Sequence, residues 1–269
     1  MTDVLTPAST GDELSRRFGG VARVYGEAGA ARLRAGHMAI VGIGGVGSWA
    51  AEAAARCAVG RITLIDMDHI AESNTNRQIH ALGDAYGQSK VAAMAARIHA
   101  INPACHVEII DEFVTPDNAA ELIRGYDLVL DCIDHVNAKA ALIAQARAAA
   151  MPVITCGAAG GRLDPTRIVS GDLALIAGDP LLAKVRHRLR RDFGFPRETG
   201  GKSSKFAVLA VYSDEPLRRP KAQGGEAVDL AAGLACAGYG SSVVVTATMG
   251  FVAAAEALAR LAAAVDGRA

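Results

Sequence analysis

Read for its hydrophobic and polar positions, the chain alternates between two kinds of apolar segment. Short runs rich in β-branched residues are separated by longer, Ala-rich stretches whose apolar positions recur every three or four residues. Short continuous runs suit strands buried on both faces, and the longer stretches suit helices that pack over them. The pattern predicts strands over 37–43, 61–66, 106–110, 128–131, 152–155, 167–170 and 206–212. It predicts helices over 16–34, 46–57, 89–101, 118–123, 137–149, 180–193 and 242–264. Alternation of this kind implies parallel strands joined by crossover helices. The expected fold class is α/β: a doubly wound, Rossmann-like, mostly parallel sheet with helices on both faces and a C-terminal extension.

No repeat or low-complexity linker divides the chain, so 16–269 reads as one domain behind a flexible stretch over 1–15. Loops over 196–205 and 213–225 flank the last predicted strand, and loops of that length are usually functional or mobile.

Composition narrows the picture. At 51% hydrophobic, 269 residues can bury a substantial core, and 28 basic residues balance 28 acidic ones. A chain neutral as a whole can hold a polyanion only through local segregation of charge. Such segregation exists over 184–205, where Lys184, Arg186, Arg188, Arg190, Arg191, Arg197, Lys202 and Lys205 face only Asp192 and Glu198, a net of +6. Arg218, Arg219 and Lys221 extend it. The bland alternative is a solvated helix face. Five cysteines stand singly at 57, 105, 132, 156 and 236, with no CxxC pair. Neither a zinc site nor a disulfide framework is expected, and a reducing cytoplasm fits. Cys57 and Cys132 read as core, whereas Cys156, ahead of GAAGG, is a candidate to line a site. The opening MTDVLTPASTGDEL lacks a basic start and an apolar core, so no secretory signal is expected. Residues 230–255 carry no charged side chain, long enough to raise a membrane span. Their Gly, Ala, Ser and Thr content, with Glu256 and Arg260 following, favours a buried helix and its approach, and membrane association is not expected.

The candidate chemistry begins where the first predicted strand runs into GIGGVG ahead of a helix. In that context Gly42 permits a tight turn, Gly44 and Gly45 let backbone approach phosphate oxygens, and Gly47 lets the helix pack close to the strand. Backbone N–H groups and the helix dipole then favour an anion. Asp66 ends the next strand, 19 residues after Gly47, where a carboxylate can accept hydrogen bonds from ribose hydroxyls. A tight turn that binds nothing is the alternative. NAD would need little beyond this, but DMDHIAESNTNRQIH adds Asp68, Asn74, Arg77 and Gln78, and Lys90 opens the next helix. Cations there suit a triphosphate, because adenylation develops charge at the α-phosphate and expels pyrophosphate. Taken alone, Arg77 and Lys90 are also compatible with ordinary surface charges.

GIGGVG, IDMD, SNTNRQ, Lys90 and DCID together resemble the ubiquitin-activating-like adenylating enzymes, which include activators of thiamin and molybdopterin sulfur carriers. The resemblance covers roughly the first 160 residues. It implies that Asp66 holds the ribose, that Asn74, Arg77 and Lys90 contact ATP phosphates, that Asp68 also binds the nucleotide, and that Asp134 holds Mg2+. By position alone, Asp134 could equally cap the helix that follows. The family likeness further implies a homodimer, with Arg17 or Arg23 as candidates to reach a partner's site.

Within that family, the missing CxxC pairs depart from the sulfur-carrier activators, and the length leaves no room for a separate thioester-forming domain. RFGGVARVYG, VGIGGVGSWAAEA, TNRQIHAL, INPACHV, EFVTPDN, GAAGGRLDPTRI, DPLLAKVRHRLRRDFG and VTATMGFVA are similar to the tRNA threonylcarbamoyladenosine dehydratase subfamily. The likeness implies ATP-dependent cyclisation of that nucleoside beside the anticodon through an acyl-adenylate. It makes 37–160 the nucleotide-binding core and 161–269 the part for substrate and dimerisation. Arg77, Lys90, Asp134 and Cys236 would be catalytic, and Arg186, Arg188, Arg190, Arg191, Lys202 and Lys205 would bind tRNA. For Cys236 and Cys156 a buried structural thiol is the competing reading. A sulfur-transfer partner protein remains open, as does the alternative that the chain adenylates a sulfur-carrier C-terminus.

Overall fold

The computed structural model describes residues 11–197, 204–218 and 239–263. Seven strands form one sheet: β1 (His37–Val41), β2 (Arg61–Ile65), β3 (His106–Ile110), β4 (Leu128–Asp131), β5 (Val153–Cys156), β6 (Ile168–Asp172) and β7 (Leu209–Ser213). Their spatial order is β3-β2-β1-β4-β5-β7-β6. All pairings are parallel except that of β6 with β7, which is antiparallel at one edge. The helices described are α1 (Gly11–Ala35), α2 (Gly47–Arg56), α3 (Lys90–Ile101), α4 (Ala119–Leu122), α5 (Val136–Ala148), α6 (Pro180–Asp192) and α7 (Val243–Ala262).

The central strands β1 and β4 are buried at every position, as their unbroken apolar runs require. Edge strand β3 is exposed or half-buried throughout. One core packs the sheet against α2, α3 and α7 through residues such as Ala54, Met94, Ile98, Met249 and Leu258. A second packs its other face against α5 and α6 through Leu142, Leu182, Val185, Leu189 and Phe206. Helices thus cover both faces, as the alternation implied.

The chain moves outward from β1 to β3, returns, and continues on the other side from β4. The reversal lies between β1 and β4, where ligands of open α/β sheets bind beyond the carboxyl ends of the strands.

Several boundaries shift for physical reasons. Strand β1 stops at Val41, because Gly42 takes φ 86° and Ile43 donates its N–H to Asp66 Oδ2 at 2.6 Å. Strand β7 starts at Leu209 rather than 206, because the N–H groups of Phe206 and Ala207 are taken by the Asp172 carboxylate, both at 2.9 Å. Ala207 adds a left-handed φ of 55°. Residues 11–15, placed in the N-terminal extension by the sequence, belong to α1, which kinks at Gly26. Helix α7 is long and apolar enough to cross a membrane, and half of its most apolar stretch is buried inside the protein. Its buried side, including Val245, Met249 and Ala253, lies in the first core, and Gly250 admits the backbone of Val46 where a side chain would collide. Residues 230–238 of the uncharged stretch lie outside the described residues.

Candidate nucleotide site

A cavity of about 600 Å³ opens at the switch point. Its walls come from the turn after β1, the end of β2 and its loop, residues 112–115 after β3, the β4–α5 turn, and the start of the loop after β5.

The glycine turn has the geometry its spacing promised. A Cβ on Gly47 would collide with the carbonyl oxygen of Gly42, so only glycine lets α2 start this close to β1. Gly44 and Gly45 line the cavity, and the space above Gly44 is open, with only Gln78 Nε2 at 4.0 Å from an added Cβ. The side chain of Arg77 lies over Gly45.

Asp66 sits at the base. Its Oδ2 accepts from Ile43 and its Oδ1 from the Asp68 N–H at 2.9 Å, so the carboxylate ties the glycine turn to the end of β2. Burial pushes its pKa above the ordinary carboxylate value, with Lys90 opposing the shift. Lys90 is buried, and its Nζ is 2.6 Å from Asp68 Oδ2. Arg77 also reaches the cavity, holding the carbonyl oxygen of Ser73 at 2.7 Å and Asn76 Oδ1 at 3.0 Å. Asn74 does not line it. Its Oδ1 accepts from the Ala71 N–H at 3.0 Å and closes the turn that carries Arg77.

The two aspartates of DCID part company. Asp131 is fully buried, 2.8 Å from Lys139 Nζ and 2.7 Å from Thr155 Oγ1, with Oδ1 accepting from Ile133. Asp134 is exposed on the cavity wall and accepts no hydrogen bond among the described residues. Nor does it cap α5: that place belongs to His135, whose Nδ1 accepts from the Ala138 N–H at 3.4 Å. One free carboxylate beside a phosphate cradle fits Mg2+, which typically takes one or two carboxylates plus phosphate oxygens. No group of three or more His, Cys, Asp or Glu that could hold a metal by themselves gathers among the described residues, at this cavity or outside it.

The cysteine expectations are exchanged. Cys132 lines the cavity, whereas Cys156 is buried behind it, with the two Sγ atoms 3.9 Å apart. That contact and burial raise the Cys132 pKa well above an ordinary thiol, so it is a poor nucleophile. Cys57 is half-buried beside the first core. Cys236 and Lys202 lie outside the described residues.

The basic stretch does not act as one surface. Lys184, His187, Arg188 and Arg191 share the outward side of α6. Arg190 stacks over Phe206 at 5.3 Å and donates to the carbonyl oxygen of Pro196 at 3.1 Å. Arg186 is half-buried, and Lys205 lies with Arg260 in a depression at the amino ends of β5 and β7. Arg17 holds the carbonyl oxygens of Ala100 and Ile101, whereas Arg23 is exposed and makes no bond among the described residues.

Gln78, which the sequence placed in the loop after Asp66, is buried at the cavity with its Oε1 unpaired. Other residues escaped the sequence reading: Thr246 reaches the cavity from α7. Arg162 is buried with Asp179 at 3.3 Å, and Asp179 Oδ2 also accepts from the Ala158 N–H, bracing the loop after β5. The position of EFVTPDN after a strand end was the available signal for residues 112–115. A lone arginine in a Gly-rich loop offers no periodicity to read.

A family model described as "ThiF family" matches residues 15–266. The chain belongs to the ThiF family. Within it, the chain is 49% identical to the tRNA threonylcarbamoyladenosine dehydratase of Escherichia coli K12, over 93% of this chain and 95% of that protein. It is 45% identical to the Haemophilus influenzae protein of the same name, with the same coverage. The E. coli dehydratase in complex with ATP superposes with a TM-score of 0.83 at 47% identity, covering 94% of this chain and 96% of that one. A structure with AMP matches equally well, with a TM-score of 0.83. Among other ThiF-type proteins, the molybdopterin-synthase adenylyltransferase of H. influenzae is 35% identical over 47% of this chain.

Proposed function

We propose that this ThiF-family protein is an ATP-dependent tRNA threonylcarbamoyladenosine dehydratase working through an acyl-adenylate. The carrying observation is the meeting of Asp66, Arg77, Lys90 and an Asp134 with no partner among the described residues on one cavity, in a chain so similar to the E. coli dehydratase along its length.

The chemistry follows from the substrate. A carboxylate is a poor acyl donor, because oxide is a poor leaving group. An oxygen of the threonyl carboxylate attacks the α-phosphorus of ATP, forming a mixed anhydride and releasing pyrophosphate. The tethered carbamoyl group then attacks the activated carbonyl, loses its proton, and expels AMP. One water is lost from the nucleoside, and ring closure gains from the proximity of its two reacting groups. The backbone of Gly42–Gly47 cradles the phosphates, Asp66 and Asp68 bind the ribose side, and Arg77 and Lys90 stabilise charge developing at the α-phosphate. Asn74 supports Arg77 from behind. Mg2+ held by Asp134 would supply further neutralisation of phosphate charge.

The tRNA meets the basic stretch, with Arg188 and Arg191 on its outward side. Exposed Val243, Val244 and Phe251 on α7 support a homodimer, and Arg23, with no bond among the described residues, is the better of the two arginines to reach a partner's site. Single cysteines fit a cytoplasmic enzyme. Sedimentation at micromolar concentration tests the dimer.

The deciding experiment incubates the protein with ATP and tRNA with or without threonylcarbamoyladenosine. AMP, pyrophosphate and a nucleoside lighter by one water, with the modified tRNA alone, are expected. Silence with both, together with pyrophosphate exchange on a sulfur-carrier protein, would transfer the activity to that class.

A further inference from the structure

The turn that carries Asp134 borders a second concavity. Asp134 and His135 face the nucleotide cavity, whereas Val136 and Asn137, next in the chain, form one wall of a separate groove of about 400 Å³. The other wall is α6, through Ala183, Lys184, His187, Arg188 and Arg191. Spacing of three and four residues sets the four ionisable side chains in one stripe. The opposite stripe, Leu181, Leu182, Val185 and Leu189, is buried in the second core. The helix is therefore anchored by one side and presents cations on the other.

Asp192 is the sole carboxylate of α6. It pairs with Nε of Arg188 and Nε of Arg191, each at 2.7 Å. These pairs lie at the surface, where ion pairs contribute little, so an arriving dianion or diester can replace Asp192 as the arginines' partner. Lys184 makes no ion pair among the described residues and is exposed. Arg190 and Lys205 take no part in this groove, since each lines or packs against other elements. The glycine turn, Arg77 and Lys90 line the nucleotide cavity and none of them lines the groove, so the groove's charge is left for a different anion.

Resting on the reading that the substrate is tRNA, we propose that the α5–α6 groove seats the RNA phosphate adjacent to the nucleoside whose threonyl group enters the nucleotide cavity. The cavity is lined by the β4–α5 turn up to His135 and the groove by the next two residues, the start of α5, so a strand held by Lys184, Arg188 and Arg191 delivers its neighbouring nucleoside to the Asp134 side of the bound ATP. The cations position the RNA and do not touch the reacting atoms.

The test uses the full-length protein and an anticodon stem–loop RNA carrying threonylcarbamoyladenosine, with binding read by fluorescence anisotropy and turnover by AMP release. In the Lys184→Gln, Arg188→Gln, Arg191→Gln triple variant, RNA affinity should fall about tenfold or more. The slope of log affinity against log salt should become shallower by about 0.7 or more, as loss of a single-strand phosphate contact requires. ATP affinity by calorimetry should be unchanged, which also reports an intact fold. If the triple variant loses ATP binding, the single variants Lys184→Gln and Arg191→Gln of exposed side chains carry the same comparison with smaller losses. An uncharged methylphosphonate on one side of the modified nucleoside should weaken binding to the native protein but not to the variant, because both changes remove one contact. Native RNA affinity in the variants, or additive losses from both flanking replacements, overturns the groove. Absence of AMP release by the native protein would instead remove the dehydratase reading, and the anisotropy comparison would still decide whether the groove holds RNA.

Discussion

Lys90 and Asp68 form a 2.6 Å ion pair whose members live in different surroundings: the lysine side chain is 7% exposed and the aspartate 52%. A buried ammonium is thus held at the cavity wall by a carboxylate that water can stabilise without it. Substitution should therefore act asymmetrically. Asp68→Asn leaves a buried cation without its ion pair and should cost about 1–3 kcal/mol in urea unfolding. Lys90→Met leaves only a half-exposed carboxylate behind and should cost less stability, while pyrophosphate exchange falls about 100-fold.

Asp134 makes no hydrogen bond or ion pair among the described residues, and His135 supplies the cap of α5. Asp134→Asn should leave the melting temperature unchanged and lower adenylation about 100-fold. His135→Ala should do the reverse in part, costing about 1 kcal/mol of stability through the lost cap. A marked loss of stability in Asp134→Asn would return the aspartate to a structural role.

Two glycines separate fold from function. A methyl at Gly47 meets the carbonyl oxygen of Gly42, whereas one at Gly44 meets open space in the cavity. Gly47→Ala should destabilise the protein and abolish ATP binding together. Gly44→Ala should melt normally yet bind ATP about tenfold more weakly, about 1.4 kcal/mol, because only the bound phosphate competes for that space. Calorimetry and thermal unfolding distinguish them.

His80 is buried with neither ring nitrogen hydrogen-bonded. Burial, then the charges of Lys90 and Arg97, lowers its pKa from 6.5 to about 4. The folded state releases this proton more readily than the unfolded one, so its neutral form is stabilising above pH 6.5 and that contribution is lost as pH falls towards 4. The full loss is about 3 kcal/mol. His80→Leu should flatten the stability profile across this window in chemical denaturation.

Asp131 and Lys139 are both completely buried, at 2.8 Å. Lys139→Met should cost about 3–5 kcal/mol by stranding a buried carboxylate. The double variant Asp131→Leu, Lys139→Met should recover much of that loss, and the two urea midpoints test it.

Much of this architecture could be read directly from local pattern. Strands β3 and β4 fall at their predicted bounds, and the other boundaries move by a few residues. The apolar run of β4 announces its own burial, whereas the run in β3 lies on an exposed edge. The GIGGVG turn was legible because Gly42 and Gly47 must satisfy steric demands within six residues of each other. The division of α6 was half legible: its Leu stripe separates Lys184 and Arg188 from the core, but the turn of Arg190 towards Phe206 depends on a residue sixteen positions away.

By itself, the sequence determined the order and kind of the elements, the glycine turn, and the placing of Asp66 at the next strand end. These depend on periodicity and backbone sterics between near neighbours in the chain. Only the tertiary structure decided which aspartate of DCID is free, which cysteine meets the cavity, and which arginines remain outward. Asp131 and Asp134 are three residues apart and chemically identical. Lys139 and Thr155 come from a helix and a neighbouring strand to occupy the first in a dry interior, while the second is left facing the cavity. A side chain's partner and its access to water are set by segments distant in sequence, and those two quantities decide whether a charged group holds the fold together or remains available to a ligand.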